Sequence, residues 1–116
     1  MYRIVNIKQG MPNCDYAVFV MEKEIEFAKK EGCRVLVFIH GYGSKGYGGA
    51  IKKEVDTKLK ELKKHKKIID YVTGDKWTDT SDTVRQIYKY APELSISDQV
   101  SGINSGVTVV LIYEQN

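Results

Sequence analysis

Apolar residues along this chain fall into short runs that are separated by longer amphipathic stretches. Four of the runs are β-branched or continuously apolar, which predicts strands. They lie at Tyr2–Lys8, Arg34–Ile39, Lys67–Thr73 and Val107–Tyr113. The second run is apolar at every position after Arg34, which is typical of a strand buried on both faces of a parallel sheet.

The stretch between the first two runs has the 3.6-residue period of a helix. Asn13 is a suitable N-cap, Asp15 complements the dipole in the first turn, and Gly32 is a C-terminal stop. One apolar stripe comprises Cys14, Ala17, Val18, Met21, Ile25 and Ala28. A second stripe comprises Tyr16, Phe19, Val20 and Phe27. Two apolar stripes predict that the sheet covers one side of this helix and another element or subunit covers the other.

Two further helices are predicted after the second strand. The first carries lysines on its outer side and apolar residues at Ile51, Val55, Leu59 and Leu62. The second is short, with capping residues at Asp79–Ser81 and a stop at Pro92. Its apolar positions are Val84, Ile87, Tyr88 and Ala91. The polar stretch Glu93–Gly106 is predicted to be a long loop.

The order strand, helix, strand, helix, strand indicates two crossover connections, which we expect to be right-handed. The predicted fold class is therefore α/β: a small two-layer or three-layer sandwich with a βαβαβ core, an inserted short helix and a final strand. No repeat or linker divides the chain, so residues 1–116 are expected to form a single domain. The sequence assigns no role to the extra helix and loop at residues 74–104.

Composition agrees with a globular domain, since 42% of the 116 residues are hydrophobic and 28% are charged. The net charge of +3 is unevenly distributed. Lys52–Lys67 contains eight lysines against Glu54, Asp56 and Glu61, a net charge of +5, so the remainder carries −2. This basic helix indicates a local electrostatic surface for an anionic partner, and the alternative interpretation is a solvated lysine face.

The two cysteines predict no disulfide. A helix between Cys14 and Cys33 holds them ~25–30 Å apart, whereas a disulfide needs Cα atoms within about 7 Å. The N-terminus has no long apolar segment and no apolar run of membrane-spanning length occurs in the sequence. We therefore expect a cytoplasmic protein with no membrane partner.

Glycine is concentrated directly after the second strand. Five of the ten glycines lie between Gly41 and Gly49. Ordering a glycine costs more conformational entropy than ordering any other residue, and glycine has no side chain to pack. A loop whose backbone amides approach a phosphate, at the positive end of the following helix, explains this concentration. The stretch is therefore predicted to bind an anion.

Gly41, Gly43 and Gly46 have the spacing of a dinucleotide-binding loop, after a strand and before a helix. Such a loop expects an acidic residue about 20 positions further on. The acidic residues near the next strand, Asp70 and Asp75, lie well beyond that spacing. NAD and FAD are therefore not expected, and the absence of Gly-Lys-Ser/Thr after these glycines excludes a Walker loop.

His40 ends the apolar run at the edge of the sheet where open parallel sheets bind ligands. An imidazole there suits a general base, or a donor to phosphate when it is protonated. The alternative is a histidine that caps the strand and hydrogen-bonds the loop backbone. The adjacent glycines, Lys45 and the basic helix favour a functional role.

Aromatic residues add candidate contacts to a base or a sugar. Tyr42 and Tyr47 flank the glycine loop, where little packing is required of them. Trp77 and the other tyrosines offer stacking surface as well, but Tyr16, Tyr71 and Tyr88 fit apolar faces and are expected in the core.

The segment from His40 to Val55 resembles the His-Gly-x-Gly loop and following helix of the Smr (small MutS-related) domain family. The order of elements agrees, as does a last strand entered through glycine at Ser105–Leu111. The resemblance covers residues 1 to about 73 and 105–113. It implies a small α/β sandwich similar to the C-terminal domain of translation initiation factor three. It also implies nucleic-acid binding, and several family members nick or cleave DNA or RNA.

The first strand departs from the family pattern, in which Leu-Asp-Leu-His-Gly or a close variant ends the strand. Asn6 takes the place of the aspartate, and Lys8 or Gln9 takes the place of the histidine. Asparagine is neither a carboxylate base nor a strong ligand for a divalent metal, and lysine repels a metal ion. The resemblance therefore supports binding more strongly than cleavage.

We thus expect a domain that binds DNA or RNA phosphates, with nicking by an endonuclease activity left open. The predicted catalytic set, should cleavage occur, is His40, Asn6 and Lys8, with a divalent cation as the only cofactor considered. The predicted nucleic-acid-binding set is Gly41, Tyr42, Gly43, Ser44, Lys45, Gly46, Tyr47, Gly48, Gly49, Lys52 and Lys53. Two alternatives stay open: a site for a nucleotide or other phosphorylated metabolite, and a non-catalytic interaction module, which includes a dimer.

Overall fold

A computed structural model describes residues 2–10, 13–41, 47–96 and 106–113. The strands are β1 (Tyr2–Asn6), β2 (Val35–Ile39), β3 (Asp70–Thr73) and β4 (Val107–Leu111). The helices are α1 (Cys14–Glu31), α2 (Tyr47–Lys64) and α3 (Asp82–Tyr90). Short 3₁₀ segments follow β3 at Gly74–Lys76 and follow α3 at Pro92–Ile96. The predicted α/β class is confirmed, and each of these strands is shorter than its apolar run.

The four strands form one mixed sheet in the order β1-β2-β4-β3. β1 pairs with β2 in parallel, whereas β4 lies between β2 and β3 and is antiparallel to both. β2 is buried as its apolar run predicts, but only one of its two neighbours is parallel. β4 is buried at all five positions because it lies in the centre of the sheet.

One face of the sheet packs against α1 and α2. The predicted cap of α1 is confirmed, since Asn13 Oδ1 accepts from Tyr16 N–H and Gly32 ends the helix with a φ of +76°. That left-handed conformation favours glycine. The core on this face contains Met21 from α1, Leu59 from α2 and Phe38 from β2, all fully buried.

The opposite face of the sheet is covered by the chain that follows β3. Trp77, Ile87 from α3 and Leu94 are buried against Val37 and Val109 of the sheet. Trp77 also donates from Nε1 to Tyr88 Oη over 3.1 Å, and the two rings meet edge-on. The described part therefore has three layers, and the segment to which the sequence assigned no role supplies the third.

The second apolar stripe of α1 is more exposed than expected. Tyr16, Phe19 and Phe27 are each at least half exposed within the described part of the chain. The expectation that Tyr16 lies in the core is therefore wrong. Arg3 lies over the ring of Phe27 at 5.0 Å and Lys23 over that of Phe19 at 5.5 Å, so cations shield these rings in part. Coverage by another subunit stays a prediction.

Cys14 and Cys33 are both free thiols, as the sequence predicted. Among the helices of the described residues, none combines the length and the hydropathy that crossing a bilayer requires.

Candidate nucleic-acid interface

The candidate site begins where β2 ends and α2 begins. His40 and Gly41 leave the strand together, and the backbone N–H groups of both donate to the carbonyl of Gly106. Gly41 has a φ of +76°, a conformation that a side chain would strain, so glycine is required at this turn. Five predicted binding residues, Tyr42, Gly43, Ser44, Lys45 and Gly46, lie outside the described residues, as does the side chain of Tyr47; Gly48 belongs to the first turn of α2.

The imidazole of His40 is fully buried, and both of its nitrogens contact the protein. Nδ1 lies 2.7 Å from the Gly41 carbonyl oxygen, and Nε2 lies 2.7 Å from Thr108 Oγ1. Because a carbonyl only accepts, Nδ1 carries the proton. In the neutral ring Nε2 then accepts from the Thr108 hydroxyl. His40 therefore ties the start of the glycine loop to β4.

Burial holds the pKa of His40 below its ordinary value of 6.5, and the nearby positive charge of Lys52 acts in the same direction. The hydrogen bond to Gly41 opposes this shift without reversing it. The ring is therefore neutral at pH 7, and it positions the loop instead of adding a positive charge to the site.

This shift predicts a pH-dependent stability. Below pH 6.5 the unfolded chain protonates His40 more readily than the folded protein does. The free energy of unfolding should therefore fall as the pH falls below 6.5 and should be fully retained above it. Urea unfolding across about pH 5 to 7 measures this slope, which His40→Gln should flatten. An identical slope in the His40 variant would contradict the assignment.

A row of polar side chains crosses the sheet next to His40. Thr108, only 2% exposed, pairs in register with Thr73 of β3. The Thr73 hydroxyl oxygen is buried and forms no hydrogen bond of ordinary geometry within the described part of the chain. It nevertheless lies close enough to Asp75 to lower the pKa of that carboxyl. The row His40, Thr108 and Thr73 leads from the glycine loop towards β3.

A cavity of about 300 Å³ lies at the start of α2. It is lined by Gly49, Lys52, Lys53, Asp56, Thr73, Asp75 and Lys76. Lys52 Nζ approaches Asp75 Oδ1 at 3.9 Å, which makes this ion pair weak. The first turn of α2 carries no acidic residue, so no side chain of that turn neutralises the positive end of the helix dipole.

Asn6 and Lys8 come to the same edge of the sheet but form different contacts. Asn6 pairs in register with Ile39, whose side chain belongs to the face that α3 covers. The ring of His40 instead reaches Thr108 on the strand at the other side of β2. Asn6 Oδ1 accepts from the Lys8 N–H over 3.0 Å, which closes a local turn. A shared catalytic role for these three residues stays a prediction.

Comparison with known proteins agrees with this architecture at the level of the fold. No family model matches the sequence, and no curated protein matches it. Among solved structures, the Smr domain of Thermus thermophilus MutS2 matches with a TM-score of 0.59 and 17% sequence identity. The match covers 96% of this chain and 98% of that domain. This chain has an Smr-like fold. The predicted resemblance is thus confirmed for the architecture, since an identity this low is evidence for the fold alone.

In this Smr-like domain the outer surface of α2 divides into two stripes of different charge. One stripe faces β3 and comprises Lys52, Lys53, Asp56, Lys60, Lys63 and Lys64; we call it the lysine stripe. The other faces α1 and comprises Glu54, Thr57, Lys58 and Glu61, which line a groove together with Asp15 and Glu22. Five lysines of the basic surface predicted from the sequence therefore lie on the β3 side of the helix, whereas Lys58 lies on the α1 side among acidic residues.

Sequence reasoning missed the residues that surround His40. Thr73 ends one apolar run and Thr108 interrupts another. A single threonine within the otherwise apolar Val107–Leu111 is the sequence feature that could have indicated a polar contact there. Their proximity to His40 depends on the strand order, which no local pattern reveals. The described residues contain no group of three or more His, Cys, Asp or Glu side chains arranged to hold a metal ion.

Proposed function

We propose that this Smr-like domain binds the phosphates of DNA or RNA at the start of α2. The observation that carries the proposal is the cavity there, which combines three lysines with a helix start that has no acidic residue. Anions bind at such helix starts because backbone N–H groups and the dipole both favour negative charge. The predicted binding residues Gly49, Lys52 and Lys53 line this cavity.

The ion pairs of the cavity leave positive charge available for a ligand. Lys53 and Lys76 form no ion pair with another described residue, and Lys52 has only its long contact with Asp75. A phosphate would therefore compete with Asp75 for Lys52. Asp56 and Asp75 moderate the attraction, so we expect contacts of modest strength that depend strongly on salt.

The contacts of His40 favour binding over cleavage. Its nitrogens are engaged by Gly41 and Thr108, and its neutral ring fixes the direction in which the loop leaves β2. We assign it a positioning role in the binding site. Fixing the start of the loop at Gly41 reduces the conformational entropy that binding a phosphate would cost.

The proposal predicts a steep salt dependence. With about four phosphate contacts, affinity for a DNA or RNA oligonucleotide should fall roughly hundredfold between about 50 and 200 mM salt. Fluorescence anisotropy with labelled oligonucleotides measures this. An affinity that does not change with salt would overturn the electrostatic part of the proposal. Thermal stabilisation by ATP or NAD, in the absence of oligonucleotide binding, would favour the alternative of a metabolite site.

Incubation with supercoiled plasmid and structured RNA, with and without Mg²⁺, separates binding from cleavage. We expect both substrates to be bound and to stay intact. Cutting by the wild type that disappears in His40→Ala would instead show an endonuclease and would support the predicted catalytic set.

A further inference from the structure

A second, larger groove continues from the cavity at the start of α2. It has a volume of about 690 Å³ and follows the outer edge of β3, between α2 and the start of α3. The two spaces share three lining residues, Asp56, Thr73 and Lys76. The two spaces are therefore adjacent, and together they run along α2 from its beginning to its last turn; we call them the channel.

The lysine stripe supplies one wall of this channel. Lys60 contacts Asp56 at 3.3 Å and Lys63 contacts Asp70 at 2.9 Å, whereas Lys64 forms no ion pair with another described residue. Over the whole channel six lysines face three aspartates, which leaves a net charge of +3. A chain of negative charges suits this wall better than a neutral polymer does.

The floor of the channel is a strand edge with polar side chains. β3 is the last strand of the sheet, and Tyr71 and Thr73 lie along the groove with Ser81 and Thr83 opposite. Burial and the adjacent Asp56 raise the pKa of Tyr71 to about 12, so its hydroxyl keeps its proton at neutral pH. The Thr83 hydroxyl donates to Asp70 and the Thr73 hydroxyl is buried, so the lysines of the wall, and not the floor, supply the expected contacts to phosphate.

We propose that this channel holds a single strand of nucleic acid that runs from the start of α2 towards Lys64. The inference rests on the proposed function and names its substrate class. From Lys53 to Lys64 the helix rises about 17 Å, a length over which an extended strand places several consecutive phosphates. A peptide that added to the edge of β3 would need pockets for alternate side chains, and charged residues occupy these walls instead.

The test compares oligothymidylates of about three and about eight nucleotides by anisotropy or calorimetry. The shorter probe fits the cavity at the start of α2, and the longer one fills the channel. Lys60→Ala/Lys64→Ala should weaken the longer probe about 25-fold at ~0.1 M salt and leave the shorter probe within about twofold. Lys29→Ala/Lys30→Ala, at the end of α1, removes the same charge elsewhere and should change neither probe.

Each other outcome contradicts a different statement. Equal weakening of both probes by Lys60→Ala/Lys64→Ala would show a general charge effect and would contradict binding along the channel. An unchanged affinity for the longer probe would also contradict it. If the wild type binds neither probe, the proposed function fails first. A glutamate octapeptide that competes as well as the longer probe would assign the groove to a peptide. If Lys60→Ala/Lys64→Ala weakened the binding of a duplex as much as that of the longer single strand, the single-strand class would be overturned.

Discussion

Reversing two charges at the start of α2, with Lys52→Glu/Lys53→Glu, should weaken nucleic-acid binding at least about hundredfold at ~0.1 M salt. Both lysines line the cavity beside the helix start. Each phosphate contact of a single strand contributes a salt slope of about 0.7, so two lost contacts lower the affinity about 25-fold at ~0.1 M salt, and the reversed charges lower it further. The introduced carboxylates repel phosphate and neutralise part of the positive end of the helix dipole. Anisotropy titrations at fixed salt measure the change.

The matched control is Lys29→Glu/Lys30→Glu in the last turn of α1. It changes the net charge of the protein by the same amount at a site that faces neither the cavity nor the channel. We expect less than about a tenth of the effect, because exposed charges far from the ligand are screened by salt. Equal losses in the two variants would show that overall charge, and not this site, determines the affinity.

Removing the indole of Trp77 should destabilise the fold by about 3–5 kcal/mol. Trp77 is 7% exposed and lies in the core that joins the sheet to α3. Trp77→Ala would leave a cavity there and would also remove the hydrogen bond to Tyr88. Urea unfolding followed by far-ultraviolet circular dichroism gives the change in the free energy of unfolding.

Phe19→Ala is the control for this prediction, since it also removes an aromatic ring. Phe19 is 51% exposed on α1 and contacts Lys23 over its face. Its loss should cost about 1 kcal/mol or less. A Trp77 variant as stable as the Phe19 variant would mean that the segment after β3 is a detachable addition and not a structural layer.

Local sequence signals were sufficient for the elements but not for their arrangement. The Asn13 cap and the Gly32 stop define α1 because capping depends on neighbouring residues only. The position of β4 between β2 and β3 depends on pairing between residues about seventy positions apart. No periodic pattern encodes that pairing, so the mixed sheet was not predictable from one sequence.

The same distinction holds for the site. The place of His40 at the end of β2 followed from its apolar run, and its contact with the loop backbone was one of the two interpretations left open. Its second partner, Thr108, lies 68 residues further along the chain, and no local sequence pattern indicates this contact. The division of the α2 lysines between two faces likewise required knowing that α1 packs on one side and β3 on the other.

Exposed aromatic residues on α1 show the limit of hydrophobic patterning. Tyr16 and Phe19 have the spacing of a buried stripe, yet the described residues leave them at least half exposed. Periodicity reports that a face is apolar, but it does not report what covers that face.

The central claim is that nucleic acid contacts the lysine stripe and the edge of β3. Amide chemical shifts of the isotope-labelled domain, titrated with a single-stranded oligonucleotide, test it most directly. We predict saturable shifts in α2 from Gly49 to Lys64 and in the segment Thr73–Lys76, with α1 unaffected. Shifts confined to α1 and its acidic groove with α2, or no shifts at a concentration where anisotropy reports binding, would contradict this account.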